Sequence, residues 1–326
     1  MLSEALVASS AVDKRIIVDD YTRWVISDKF LYAPRNLFDH PLRQEVRETY
    51  KMIDELEQRG VQVKFTHPVG LIEKIAVHNH KKVVVIDRRI AYIGGINFSE
   101  HNFVWHDIML RMEDAAVGEL FSTDFLSTWD EQKKTASLHL PDMELLCLDG
   151  YSNEANFEKV LRLVDEAQEH IYVESPYITF PFLDRLIQAR RRGCPVTLVT
   201  PQPNNSPMIR EYILWESARA NIEVWLYDVM SHLKAMLIDD RYLILGSSNF
   251  DYFSYKFHQE IVAILTNPEL ITEFMKRVFQ EDIRRSEKPA RRGNPVKGYF
   301  INLEMRFLGK LIAFFRRLRL RTLHLR

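Results

Sequence analysis

The sequence predicts an α/β fold made of two related halves, and three observations lead there. The stretch HKKVVVIDRRIAYIGGINF, which starts at His80, recurs without a gap 152 residues later as HLKAMLIDDRYLILGSSNF, which starts at His232. Upstream of each copy, IDELEQRGVQVKFTHP (53–68) and LIQARRRGCPVTLVTP (186–201) both read as a helix end, a glycine stop and a short strand. Strands alternate with helical segments along both copies, the pattern of helices layered on sheets. The expected organisation is a first lobe over 1–138, a second over 139–283 and a tail over 284–326.

Each element follows from local pattern. KRIIVDDYTRWVISDKF (14–30) opens the first lobe with an apolar run, and the helix ending at Gly60 feeds the strand that follows it. The motif strand from His80 ends at Asp87, a second apolar strand runs into GGIN, and a helix spans 114–131. HLPDMELLCLDG (139–150) starts the second lobe with a new strand, and NEANFEKVLRLVDEAQEH is an amphipathic helix. Gly60 precedes His80 by 20 residues whereas Gly193 precedes His232 by 39, so PMIREYILWESARANIEVWLY is an extra helix and strand. A helix over 268–285 mirrors the one over 114–131.

The motif carries chemistry as well as core. Residues i and i+2 share a strand face, so His80 and Lys82 project together, as do His232 and Lys234. Asp87 and Asp239 lie at an odd offset and are expected to be structural, bonded to backbone or neighbouring arginines. After each second strand a glycine turn brings back Asn97 or Asn249, whose amide can donate to an oxyanion. Asp107 in VWHDIML and Glu260 in FHQEIVA each enter an apolar strand, where a carboxylate can fix a histidine tautomer. Each half is thus expected to hold its own set of His, Lys, Asn and carboxylate.

Two such sets across a twofold suit a phosphodiester. The lysines and asparagines hold the non-bridging oxygens, one imidazole attacks phosphorus, and the other protonates the leaving alcohol. The lysines supply the charge stabilisation a cation would otherwise give, so no cofactor and no metal are expected. His78 beside His80 has no counterpart at His232 and no third ligand spaced for zinc. His101, His106 and His258 border the site as lining residues, and His67, His139, His170 and His324 are surface or packing residues.

The doubled pattern His-x-Lys-x4-Asp-x6-Gly-Gly/Ser-x-Asn, at 80–97 and 232–249, resembles the phospholipase D superfamily. With ESPYITFPFLDRLIQARRRGCPVTLVTP, GSSNFD and WHDIMLRMEDAAV, the chain is most similar to the bacterial cardiolipin synthase branch over roughly residues 40–283. The resemblance implies a bilobal α-β-α sandwich, with pseudo-twofold lobes and mixed sheets sharing one active site. It also implies phosphatidyl transfer through a phosphohistidine, with His80 as nucleophile and His232 as acid. A phosphodiesterase acting on DNA or RNA is the alternative within the superfamily, and a lipid-binding pseudoenzyme the least favoured reading. Two departures concern the acceptor or headgroup region. Where the family commonly has Arg-Ser-Phe and an Asn two before the Glu, this chain has Phe253-Ser254-Tyr255 and His258. The branch also usually opens with two membrane-spanning helices, and the sequence here opens with MLSEALVASSAVDKR.

The formal charge of −1 conceals an asymmetry. Residues 284–326 carry 13 Lys and Arg against Glu287 and Glu304, a net +11 on a body at −12. In FLGKLIAFFRRLRLRTLHLR, Phe307, Leu311, Phe314, Phe315 and Leu318 fall on one helical face, with Lys310, Arg316, Arg317 and Arg319 around it. That pattern points to an anionic phospholipid membrane surface, and the acidic body argues against nucleic acid. No apolar run reaches the ~18 residues a spanning helix needs. Two cysteines without pairing spacing, Cys147 and Cys194, point to a reducing compartment. The expectation is a cytoplasmic protein, peripheral on the membrane, acting on a phospholipid with an alcohol or water as acceptor.

Overall fold

The structure, a computed structural model, describes residues 2–26, 29–66 and 76–323, with backbone alone for 2, 100, 101 and 319–323. His67 and His324, and the side chains of His101 and Arg319, lie outside the described residues.

The first half starts with α1 (Leu2–Ala8), β1 (Arg15–Val18) and two short strands, β2 (Val25–Ile26) and β3 (Lys29–Phe30). Helix α2 (His40–Gln58) is capped by the Asp39 carboxylate, which accepts from Leu42 N, and it buries Leu42, Ile53 and Leu56. β4 (Gln62–Phe65) then pairs parallel with β1. The motif hairpin, β5 (Val83–Ile86) and β6 (Ile90–Gly94), joins β7 (Met109–Glu113) in a separate three-stranded sheet. Helix α3 (Ala115–Trp129) follows, capped by Asp114.

The second half forms one mixed sheet of nine strands. It comprises β8 (Ala136–Leu140), β9 (Met143–Cys147), β10 (Ile171–Glu174), β11 (Val196–Pro201), β12 (Glu223–Tyr227), β13 (Ala235–Ile238), β14 (Tyr242–Gly246), β15 (Ile261–Leu265) and β16 (Ser286–Glu287), in the order 16-12-11-10-13-14-15-9-8. β10, β11 and β12 run parallel, while the motif hairpin β13–β14 joins β10 antiparallel. β8 pairs with β9, so the expected junction at 138–139 falls inside a strand of the second sheet. Its helices are α4 (Asn153–Glu166), α5 (Phe182–Arg191), α6 (Pro207–Arg219), α7 (Tyr252–Lys256), α8 (Pro268–Phe274), α9 (Gln280–Arg284) and α10 (Pro295–Leu323).

Strand alternation explains the layering. In β13 and β15, Met236, Ile238, Val262 and Ile264 face the core shared with α4, α5 and α6. Ala235, Leu237, Ile261, Ala263 and Leu265 face the opposite way, against Ala91, Ile93 and Met112 of the first half. A sheet covered on both faces reads as a continuous apolar run, and β15, IVAIL, is buried at every position. The two halves therefore share a core, and the motif hairpins meet across it.

Both motif hairpins close on the same turn. Arg89 N donates to Ile86 O and Arg241 N to Ile238 O, with the two central residues of each turn at φ between +51° and +52°. Aspartate tolerates this left-handed backbone, which accounts for Asp87 and Asp239 at the first central position. The Asp239 carboxylate further accepts from the backbone N–H groups of Gln168, Glu169 and His170, tying the hairpin to the start of β10.

Candidate active site

The site forms where backbone from one half bridges to backbone from the other. Asn79 bridges Gln259, with His80 N donating to Gln259 O at 2.9 Å and Gln259 N to His78 O at 2.8 Å. His106 bridges Ser231 in the same way, with His106 N donating to Met230 O at 2.9 Å and His232 N to His106 O at 2.7 Å. Each bridge sets a motif histidine beside the residue that precedes a carboxylate of the opposite half.

The pairing is therefore crossed. His80 Nδ1 lies 3.0 and 3.1 Å from the two Glu260 oxygens, and His232 Nδ1 lies 2.8 Å from Asp107 Oδ2. This corrects the expectation of one self-contained set per half: each carboxylate serves the histidine of the other half. The reason is geometric, because the residues that lead into β7 and β15 run past the neighbouring lobe's motif, not their own. With Nδ1–H donated to a carboxylate, each imidazole presents Nε2 with its lone pair free to react.

The two carboxylates are braced differently. Asp107 fits tightly, since a Cβ at residue 95 would come within 2.3 Å of its Oδ1, and Gly95 leaves that room. Glu260 is wholly buried and accepts from Ser247 Oγ at 2.5 Å and Ser254 Oγ at 2.8 Å. Gly95 and Ser247 occupy matching offsets in the repeat, so the glycine-to-serine difference follows the Asp-to-Glu difference.

Electrostatics set the protonation states. Burial pushes the His80 and His232 imidazoles below their usual value, with Glu260 opposing the shift at His80 and the lysine charges adding to it at His232. Both are neutral at neutral pH. Burial lowers Lys82 to about 8 and Lys234 to about 7. Their ammonium groups donate to His80 O at 2.9 Å and His232 O at 2.6 Å. Glu260 is held well below the carboxylate range by its imidazole neighbours, against the effect of burial. Asn249 is buried with no partner for its Oδ1 among the described residues, and Asn97 is half-buried. The structure thus gathers His80, Lys82, Asp107, His232, Lys234 and Glu260 at one centre, with Asn97 and Asn249 at the ends of the turns that follow the hairpins.

His258 lines the site as expected, while sequence reasoning missed Trp105 and Ser247. His258 stacks near both His78 and His80, at ring distances of 5.2 and 5.6 Å, and its Nδ1 lies 3.7 Å from Glu260. Trp105 lies 5.3 Å from the His232 ring. Ser247 could have been found by matching it to Gly95 across the repeat; Ser254 and Trp105 leave no such signal. Among the described residues, two groups hold three metal-type donor atoms within 4.8 Å, His80 with His258 and Glu260, and His106 with Glu174 and Asp282. In the first, Glu260 is already committed to an imidazole and two hydroxyls. His78 Nδ1 lies 3.7 Å from Asp19 Oδ1.

Comparison with known proteins fits this geometry. The family described as "Cardiolipin synthase, PLD-like domain" matches residues 4–129 and 160–283. Minor cardiolipin synthase ClsB of Bacillus subtilis is 29% identical over 234 residues, 64% of this chain and 57% of that protein. Cardiolipin synthase 2 of Staphylococcus epidermidis is 27% identical over 286 residues, 77% of this chain and 57% of that protein. The chain thus spans a little more than half the length of these relatives. Among solved structures, phosphatidylserine synthase from Haemophilus influenzae superposes with a TM-score of 0.65 at 14% identity, over 99% of this chain and 84% of that one, which establishes the same bilobal fold.

Proposed function

The chain belongs to the cardiolipin synthase, phospholipase D-like domain family, and from that premise we propose that it transfers phosphatidyl groups through a phosphohistidine. The observation that carries this reading is the crossed pair of buried imidazole–carboxylate contacts, flanked by two lysines, with Nε2 of each ring left to react.

In the proposed cycle a phosphodiester enters between the histidines. Its negative charge meets Lys82 and Lys234, and the Asn97 and Asn249 amides donate to its oxygens. The same charge offsets the lysine charges that add to burial in keeping the imidazoles neutral, so one ring takes up a proton. His80 Nε2 attacks phosphorus, the bond to the leaving alcohol breaks, and His232 Nε2–H gives that alcohol its proton. The acceptor alcohol, or water, then yields its proton to His232 and attacks phosphorus as the P–N bond breaks. Glu260 and Asp107 stay ionised and hold the two rings in their tautomers. The lysines provide the charge stabilisation of this route.

A membrane-facing role for α10 belongs to the same proposal. One stripe of the helix docks on the body through Ile301, Met305, Ile312 and Ala313. Arg316, read in sequence as one of the basic residues around the lipid-facing side, is instead buried, donates to Gly150 O and lies over the Tyr151 and Phe257 rings. Arg285, Lys288, Arg291 and Arg306 pair with Asp228, Glu223, Glu211 and Asp184 of the body, so much of the tail's charge is spent internally. The opposite stripe leaves Phe300, Leu303, Phe307, Phe314 and Leu318 exposed, with Lys297, Lys310 and Arg317 also at the surface. An apolar face flanked by cations suits anionic lipid. Ile312 and Ala313 of the docked stripe pack with Val77 and Phe257, the neighbours in sequence of His78 and His258, so α10 runs beside the segments that carry these two histidines. Among the described residues no helix is long and apolar enough to cross a membrane. We place the protein at the cytoplasmic surface, where its two unpaired cysteines would stay reduced.

Phosphatidylglycerol vesicles incubated with the protein are expected to yield cardiolipin and glycerol, and an added alcohol to divert the product. Cleavage of DNA with no phospholipid product overturns the lipid reading in favour of a nuclease. Replacing Phe300, Phe307 and Phe314 by Asp is expected to weaken flotation with anionic vesicles while sparing turnover of a soluble phosphodiester; unchanged flotation removes the α10 proposal.

A further inference from the structure

A second polar cluster lies behind His232. Glu174, at the end of β10, is wholly buried; Asp282, in α9, is 2% exposed; and Ser231 is buried between them and the site. Ser231 Oγ donates to Glu174 Oε1 at 2.5 Å, and His106 Nε2 lies 2.8 Å from Asp282 Oδ2. The other Glu174 oxygen has no donor among the described residues and faces the Asp282 carboxyl. Two carboxylates in contact in a buried site cannot both stay ionised.

We propose that Glu174 and Asp282 share one proton, and that this carboxyl pair positions the His232–Asp107 half of the site through Ser231 and His106. A proton on Glu174 gives its second oxygen a donor role toward Asp282 and leaves Asp282 able to accept from His106. The connection to the chemistry is direct. Ser231 precedes His232, His106 precedes Asp107, and the two segments are already bridged through their backbones. The carboxyl pair fastens the same two segments through their side chains. Burial first, and then the Asp282 carboxylate, holds the Glu174 carboxyl well above its ordinary range.

The first half carries a different group at the matching place. At its bridge stand Asn79 and Gln259, and Asp19, one residue past Val18 of β1, takes the position of Glu174: its carboxylate accepts from Asn79 N, but it is 20% exposed and faces His78 at 3.7 Å where Glu174 is wholly buried against Asp282. The groups facing the pair from neighbouring elements are Ser231 and His232 before β13, His106 and Asp107 before β7, and Tyr227 on β12. Arg285, which caps α9, lies over the Tyr227 ring and pairs with Asp228. Loss of the shared proton at alkaline pH would set two negative charges against each other beside Asp107 and loosen the pair that orients His232.

Glutamine at residue 174 reproduces the proposed protonation state, because its oxygen can accept from Ser231 while its amide donates to Asp282. In the full-length protein, Glu174→Gln is expected to keep kcat near the wild-type value on a soluble phosphodiester and to flatten the alkaline limb of its pH profile. Glu174→Ala is expected to lose about 10- to 100-fold in kcat with little change in KM. A glutamine variant as impaired as the alanine one, or an alanine variant with full kcat, overturns the proposal. These kinetic outcomes rest on the phosphatidyl-transfer reading, and infrared spectroscopy does not. Wild-type protein should show protonated-carboxyl absorption that Glu174→Gln lacks, and identical spectra would disprove the shared proton whatever the activity or the folding of the alanine variant.

Discussion

The two halves of the site place the same imidazole and ammonium by different means. Around His80 the partner is Glu260, longer by one methylene and held by two serine hydroxyls. Around His232 the partner is Asp107, seated against a glycine and backed by the buried carboxyl pair. His80 keeps 22% of its side chain exposed and His232 only 6%. Duplication thus preserved the imidazole and ammonium groups and let their supports diverge. That divergence fits two histidines with unequal tasks, an attacking ring reached by the substrate and a proton carrier shielded from water.

The largest effects test whether the halves are unequal at all. His80→Ala and His232→Ala should each lower phosphatidyl transfer by roughly 10⁴-fold or more while the folded structure persists. A substrate with a p-nitrophenolate leaving group needs no acid, so His232→Ala should still release one equivalent of nitrophenolate rapidly and His80→Ala should release none. The opposite pattern would exchange the two roles, and wild-type transfer in either variant would end the shared-site reading.

The supports should respond next. Gly95→Ser pushes a side chain into Asp107 and is expected to cost about 10- to 100-fold in kcat. Ser247→Ala removes one of two hydroxyl donors to Glu260, leaves Ser254 in place, and should cost about 1.5–3 kcal/mol of stability in chemical unfolding. Equal tolerance at 95 and 247 would mean that the two braces do not differ in function.

The smallest effect separates the lysines. An unfolded lysine titrates near 10.4, whereas burial lowers Lys82 to about 8 and Lys234 to about 7 in the fold. Between folded and unfolded values the unfolded chain binds more protons, so these groups make stability rise with pH. The window opens near pH 7 for Lys234 and near pH 8 for Lys82. Urea midpoints should therefore show Lys234→Met losing more of this rise than Lys82→Met from about pH 7 to about pH 9. Equal slopes in the two variants would refute unequal burial of the two charges.

Much of the site was legible because it is written twice. A repeat of 152 residues with His, Lys, Asp, Gly and Asn at fixed offsets identifies the motif residues even though the aliphatic positions drift. The added helix and strand of the second half were legible from the longer glycine-to-histidine spacing, and appear as α6 and β12. The C-terminal helix was legible as amphipathic, but not that it has two apolar faces: Met305 and Phe307 lie two residues apart, one against the body and one outward. Ser254 and Glu174 are legible only as parts of stretches compared with the family, with no role of their own, since a single serine or glutamate in an apolar context has many ordinary explanations.

By itself the sequence determined the two hairpins and their residues, because strand period, turn chemistry and repeat offset are local properties of the chain. Only the tertiary structure decided which carboxylate serves which histidine. His80 meets Glu260 across 180 residues and His232 meets Asp107 across 125, contacts that exist only once the two sheets share a core and their hairpins face each other.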